Sequence, residues 1–272
     1  MSAQNASATA TLTDVVAAYS GPEADLWELL MGQQIHVGGF ASSCDLAERA
    51  GIQAGWRGVD LCACTGAGCR FLVRYRQVAA MTGVDATARM VARGRERNAA
   101  EGLADRIRLV EADACATGLP AASCDVVWGE DAWCYVTDKP ALVREAARLV
   151  KPGGIIAFTD WVAGPVAMSP AESRRLLTFM KFPGIESLDG YPRLLRAAGC
   201  TVRTAADTGR FPACIDLYLA MVTQQLTGDA LRLLGHDQAV LQAIGGEMQA
   251  LRELVHARKL VQGAFVAVKD NA

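Results

Sequence analysis

The sequence lacks the marks of several large classes of protein. No apolar run reaches the ~18 residues that a membrane-crossing helix needs, and the reading carries no membrane partner. The opening stretch, MSAQNASATATLT, has no basic segment followed by an apolar one, so it reads as a frayed tail rather than a signal peptide. Charge of one sign is missing too: the formal net charge is −2, which offers no electrostatic reason to expect nucleic acid. Arg89, Arg93 and Arg97 recur at helical spacing, and the plain reading is the wet face of a surface helix. Histidine is scarce, with three residues, and the nine cysteines do not fall into the Cys-x2-Cys and His spacings of common zinc sites. No metal is therefore expected. The odd number of cysteines, several inside apolar segments, fits reduced thiols in a cytoplasm rather than a disulfide framework. There is no internal repeat. There is also no Gly-x-Gly-x-x-Gly after the first apolar run and no Tyr/Lys or His pair of the kind a nicotinamide-dependent oxidoreductase would want.

What is present is enough apolar material for a large core. The chain has 272 residues, 51% of them hydrophobic, which suits one large domain with a sizeable cap. The centre alternates between short β-branched runs and longer amphipathic ones. RGVDLCA (57–63), QVAAMTGVD (77–85), RIRLVEAD (106–113), CDVVWGED (124–131) and GGIIAFTDW (153–161) read as strands. Helices are expected between the first three, over 68–76 and 86–103, and again over 138–150, where Lys-Pro-Gly-Gly at 151–154 should stop the last of these. Later come a helix at 187–199, a strand at 201–208, amphipathic helices over 217–234 and 237–258, and a last strand at 263–269. This order predicts a Rossmann-like α/β fold: a seven-stranded, mostly parallel sheet with helices on both faces. The expected organisation is a disordered tail at 1–12, an N-terminal helical lid at 13–55, and a core from 56 to 272 with cap insertions at about 162–200 and 212–262.

In such a sheet, ligands sit outside the carboxyl ends of the strands. Four consecutive strands here deliver an acid near one rim: Asp60 in the first, Asp85 at the end of the second, Asp113 at the end of the third, and Glu130 with Asp131 after the fourth. Any one of these acids is as well explained by capping the following helix. The ordered set favours a shared ligand bearing a sugar and a base, with the turn at 62–68 letting that ligand approach backbone N–H groups.

The stretch VDLCACTGAG stands where the class I S-adenosylmethionine-dependent methyltransferases have a strand and Gly-x-Gly loop. GVDATARM resembles the ribose-binding strand end of that family, VEADACATGLP its adenine-binding segment, CDVVWGEDAWCYVTDK its fourth strand, and LVKPGGIIAFTDW the helix–turn–strand that follows. MGQQIHVGGF (31–40) resembles the segment before the core in small-molecule members such as the sarcosine/dimethylglycine N-methyltransferases. The resemblance implies S-adenosylmethionine as cofactor and a small-molecule acceptor methylated by direct displacement. It implies cofactor contacts from Asp60, the Ala63, Cys64, Thr65 and Gly66 turn, Asp85 with Ala86 and Met90, Asp113 with Ala114, and Gly129 with Asp131. It places His36 and Tyr19 in a lid; read from the residues themselves, His36, Tyr19 and Tyr135 are candidate bases, and Trp133 and Trp161, beyond strand ends, with Arg193, are candidates for an acceptor pocket. Each has a plain alternative: a hydrogen-bonded structural histidine, packing aromatics, an arginine on a surface helix.

The departure is at Cys62 and Cys64, where the family usually has glycine. Two outcomes stay open. Either the loop still binds S-adenosylmethionine, or the pocket has been remodelled for another one-carbon carrier such as tetrahydrofolate, in transfer, demethylation or dehalogenation. A non-catalytic binding protein is the further alternative. The attacking atom of the acceptor, and whether the chain is a monomer or homodimer, stay open at this level.

Overall fold

The computed structural model describes residues 10–271. The tail expected at 1–12 lies mostly outside them, and Leu12 already belongs to a helix.

Three helices precede the sheet: α1 (Leu12–Tyr19), α2 (Pro22–Met31) and α3 (Gly39–Ala50). Local chemistry sets each start. Thr11 and Asp14 form a reciprocal capping box at α1, and Pro22 opens α2, where its missing N–H costs nothing. The alternating core follows as β1 (Arg57–Leu61), α4 (Ala67–Tyr75), β2 (Ala80–Asp85), α5 (Ala88–Ala100), β3 (Ile107–Glu111), β4 (Cys124–Glu130), α6 (Lys139–Leu149) and β5 (Val150–Ala163). The remainder is α7 (Pro170–Met180), α8 (Gly190–Ala197), β6 (Cys200–Asp207), α9 (Phe211–Ala220), α10 (Thr227–Leu233), α11 (Gln238–His256) and β7 (Leu260–Lys269).

The seven strands lie in the order β3-β2-β1-β4-β5-β7-β6. Only β7 runs antiparallel, paired with β5 on one side and β6 on the other. Both faces are covered. Val59, Leu61, Val127, Ile156 and Phe158 pack against Leu142 and Val143 of α6 and Tyr191 and Leu195 of α8. On the other face Val126, Trp128 and Ala157 meet Leu46 of α3 and Phe71 and Leu72 of α4. That double burial is why the central strands read as continuous apolar runs. A further cluster, with Trp161, Phe182, Phe211, Met248 and Leu251, fills the space beneath α7, α9 and α11. Leu26 and Leu30 of α2 pack with Val222 and Ala230, tying the N-terminal helices to the late ones.

Two local expectations are corrected. α6 ends at Leu149, just before Lys-Pro-Gly-Gly, but the next strand does not wait until 153. β5 begins at Val150, and the chain absorbs the Pro-Gly-Gly residues in a register shift between Cys124 and Val126. The helix expected over 217–234 is broken by a π-helical turn, Met221–Gln225, where Leu226 N–H reaches back to the Met221 carbonyl at 2.7 Å.

The strand order reverses between β1 and β4, so the helices after them leave on opposite faces and a crevice opens between their carboxyl ends.

Candidate active site

The crevice is a cavity of about 380 Å³, within the range of small-ligand sites. Its floor comes from the strand ends. Asp60, Asp85, Asp113, Glu130 and Asp131 all line it. Its roof is α1, whose Leu12, Val15, Val16 and Tyr19 share one helical face and point inward.

The loop after β1 has an unusual backbone. Cys62 (φ 62°), Cys64 (φ 49°) and Gly66 (φ 76°) all occupy the left-handed region. Glycine adopts it freely; an L residue does so at a cost of about 1 kcal/mol or more. The loop holds its course because its amides are taken. Ala63 N–H donates to the Val84 carbonyl at 2.9 Å, Gly66 N–H to the Ala63 carbonyl at 2.7 Å, and Cys64 N–H to Asp85 Oδ2 at 2.7 Å. The other Asp85 oxygen accepts the Thr87 amide at 2.8 Å. Burial nonetheless pushes the Asp85 carboxyl up from its ordinary value, against the pull of those amides. Asp60 is driven well up, first by burial and then by nearby Glu130. At Gly68 an added Cβ would come within 2.8 Å of Asp60 Oδ2, so this position must stay bare for the acid to reach the cavity. Burial also raises the thiols of Cys62 and Cys64, and pushes Cys115, on the same wall, up to about 12. All three are thiols rather than thiolates at neutral pH.

His36 lies in the turn between α2 and α3, buried on the cavity wall. Its Nε2 is 3.2 Å from Ser43 Oγ and 3.4 Å from Glu130 Oε1. Ser43 donates its one hydroxyl proton to Glu130 Oε1 at 2.8 Å, and Trp128 Nε1 donates to the other Glu130 oxygen at 3.0 Å. The Tyr19 hydroxyl donates to that of Tyr135 at 2.9 Å, joining roof to floor, and burial raises both phenols. Asp131, with φ 51°, accepts the Val37 amide at 2.8 Å and two bonds from Gln262 Nε2 of β7. It therefore anchors the segment that carries His36.

Most of the residues singled out from sequence meet here: Tyr19, His36, Asp60, Ala63, Cys64, Thr65, Asp85, Ala86, Asp113, Ala114, Asp131 and Tyr135 all face the cavity. Six do not. Gly66 caps α4 behind the wall, against Leu109. Met90 is buried beneath α5. Gly129 lies against the Trp133 indole, which stacks on Phe158 in the core with its centroid 3.9 Å away. Trp161 is packed between Phe182 and Phe211. Arg193 is exposed on α8, whose buried face is given to Tyr191 and Leu195. Trp133, Trp161 and Arg193 are thus removed from the proposed acceptor wall by core packing and helix phase.

Sequence reasoning missed Gln33, Ile35, Thr87, Cys115 and the apolar face of α1; the i, i+3, i+4, i+7 spacing of Leu12, Val15, Val16 and Tyr19 was the available signal. It also misread the arginines of α5. Arg89 and Arg93 pair with Asp25, and Arg93 and Arg97 with Glu28, all across to α2. Arg89 Nη1 also takes the Ser20 and Gly21 carbonyls at the junction of α1 and α2. Arg97 Nη1 reaches Thr65 Oγ1, in the loop after β1, at 3.2 Å. The stripe is a clasp, not a wet face. Among the described residues no group of three or more His, Cys, Asp or Glu is placed to hold a metal ion, and no helix is long and apolar enough to cross a membrane.

Residues 59–158, the span from β1 through β5, match the family model described as a methyltransferase domain. Over that span the chain carries a methyltransferase domain, in keeping with its resemblance to the class I S-adenosylmethionine-dependent methyltransferases. Among relatives of this methyltransferase, 27-O-demethylrifamycin SV methyltransferase of Amycolatopsis mediterranei is 28% identical over 69% of this chain and 74% of its own length. Dimethylglycine N-methyltransferase of Parasynechococcus marenigrum is 28% identical over 70% of this chain and 73% of its own. The fold matches that of Haemonchus contortus phosphoethanolamine N-methyltransferase 2, solved with phosphomonomethylethanolamine and S-adenosylhomocysteine, at a TM-score of 0.81. Identity is 21%, and the match covers 93% of this methyltransferase and 58% of that chain.

Proposed function

We propose that this methyltransferase transfers a methyl group from S-adenosylmethionine to a small-molecule acceptor seated beneath α1, and that it does so in the cytoplasm. The observation that carries the reading is the convergence of Asp60, Asp85, Asp113, Glu130 and Asp131 on one hollow.

The residues fit the cofactor. A carboxylate has about four lone-pair positions. The Cys64 and Thr87 amides use two of those on Asp85, and two remain for the hydroxyls of a ribose. Asp113 Oδ1 accepts the Cys115 amide at 2.8 Å, leaving its second oxygen for an adenine amino group. Asp60, buried and raised by its surroundings, is suited to meet the positive charges at the methionine end. Cys62 and Cys64 keep the backbone path that glycines would take, so they preserve the loop rather than remodel it. A reduced folate, whose tail bears carboxylates, finds no Lys or Arg among the described residues of the wall.

When bound, S-adenosylmethionine supplies a methyl group already activated by a positively charged sulfur. The chain's task is alignment and exclusion of water. α1 closes the roof, and Tyr19 and Tyr135 pin it. Their raised phenols keep their protons near neutral pH, so they orient by hydrogen bonding rather than abstract protons. His36 is the remaining candidate base. Calorimetry with S-adenosylmethionine and S-adenosylhomocysteine tests the reading: both should bind, and Asp85→Ala should weaken each by roughly ten- to a hundredfold, the worth of one or two hydrogen bonds to a charged group. Unchanged affinity would overturn it.

A further inference from the structure

Resting on that reading, we infer that the acceptor is an uncharged, largely apolar molecule that presents a hydroxyl group to His36 Nδ1.

The first argument is charge. The cavity wall carries Asp60, Asp85, Asp113, Glu130, Asp131 and Asp138, and no Lys or Arg among the described residues. Residues 1–9 and 272 contain neither residue type, so they cannot add such a side chain. The cations nearby are committed elsewhere. Lys139 donates its three protons to the carbonyls of Cys134, Val136 and Gly184. Arg97 is held between Glu28 and Thr65, and Arg193 is exposed on α8. A phosphate or carboxylate on the acceptor would enter a wall of carboxyl groups with no cation of the protein to pair with it, which is disfavoured in a dehydrated site.

The second argument separates a neutral acceptor from a cationic one. At the end of β4, the acids nearest His36 already hold two protein donors each, and a cationic acceptor would also meet the positive sulfur of the methyl donor. Glu130 accepts from Ser43 and Trp128, and Asp131 from Val37 and Gln262. Away from those acids, Leu12, Val15, Val16, Ile35 and Val136 line the wall and suit an apolar body.

The third argument is the tautomer of His36. Ser43 has one hydroxyl proton, and it is directed to Glu130. Ser43 Oγ therefore accepts from His36, so His36 Nε2 carries the hydrogen. The neutral ring then has a bare lone pair on Nδ1, and Nδ1 is a buried atom with no partner in the protein. A buried acceptor without a donor is costly, and a hydroxyl on the acceptor molecule supplies one. In the transfer, the hydroxyl oxygen bonds to the methyl carbon as the carbon–sulfur bond breaks, with that electron pair staying on sulfur. The hydroxyl proton passes to Nδ1, and the imidazolium so formed lies beside the Glu130 carboxylate.

The test measures ternary binding by calorimetry on the S-adenosylhomocysteine complex. Catechol is compared with its carboxylated analogue protocatechuate, and phosphoethanolamine and dimethylglycine serve as further anion-bearing probes. Catechol should bind, and the others should bind roughly tenfold or more weakly. Equal or tighter binding of any anion-bearing probe overturns the inference, and so does failure of catechol to bind a protein that holds S-adenosylhomocysteine. Failure of S-adenosylhomocysteine itself strikes the cofactor reading instead. With a turned-over hydroxyl acceptor, His36→Gln keeps a donor near the Nε2 position but has no Nδ1. It should lower kcat about a hundredfold or more with cofactor affinity and acceptor KM within about threefold, whereas a merely structural histidine would move affinity and kcat together.

Discussion

Asp85 Oδ2 accepts the Cys64 amide at 2.7 Å, so the acid at the end of β2 braces the left-handed turn that follows β1. One carboxylate thereby serves both the loop and the ligand that the loop is shaped to hold.

The strain in that turn is removable. Cys64→Gly places a residue with no Cβ at φ 49°, and should stabilise the folded state by up to about 1 kcal/mol, less whatever the added chain freedom of glycine costs the unfolded comparison. Urea unfolding reads this as a higher midpoint at unchanged slope. A lower midpoint would mean that the thiol's contacts outweigh the backbone cost.

Asp160 gives a pH-dependent term. It is fully buried, accepting from the Tyr191 hydroxyl at 2.6 Å and the Cys134 amide at 3.0 Å, and burial raises it from 3.8 to about 6. A raised acid contributes stability that is complete below the unfolded value and is lost as pH rises through the folded one. Asp160→Asn keeps one oxygen to accept the Cys134 amide, turns its NH2 to the Tyr191 oxygen, and has no such loss. The melting temperature of Asp160→Asn minus that of the parent should therefore grow by several degrees between about pH 4 and pH 8. A difference that is flat or shrinks across that window contradicts the assignment.

The clasp between α2 and α5 should make ligand release sensitive to salt. Glu28 and Arg97 are the more buried of the paired groups, at 15% and 17% exposure, so their pair is worth more than the Asp25 pairs at the rim. Arg97→Ala also loses the tie to Thr65. Stopped-flow release of S-adenosylhomocysteine should be several-fold faster in Arg97→Ala, and should rise less steeply with ionic strength than in the parent. Equal rates at low salt would show that the roof is held by α1 packing alone.

Tyr19 and Tyr135 act as one unit, roof against floor. Tyr19→Phe and Tyr135→Phe should each weaken cofactor binding by a few-fold, and the double variant should be little worse than either, since each single change already removes the shared hydrogen bond. Strict additivity in the cycle would separate their roles.

The strands and the acids at their ends were legible because each is a local statement: a β-branched apolar run, then a carboxylate, then a helix. The side chains that turn away from the cavity share a different cause. Whether Trp133 turns to the cavity or stacks on Phe158, and whether Arg193 faces in or out on α8, is decided by side-chain direction around an element rather than by position along it. The arginines of α5 were misread for the same reason: their partners, Asp25 and Glu28, lie more than sixty residues away.

By itself, the sequence determined the alternation of strands and helices, the acids at their ends and the two cysteines in the glycine loop, because backbone propensity and hydrophobic period act over a few residues. Tertiary structure alone decided which groups share a space: the pairing of His36 with Ser43 and Glu130, the arginine clasp, and a cavity wall with no Lys or Arg among its described residues. Those depend on the reversal of strand order between β1 and β4 and on how α1 and α2 fold back over it, and contacts of that span leave no periodic signature in the chain.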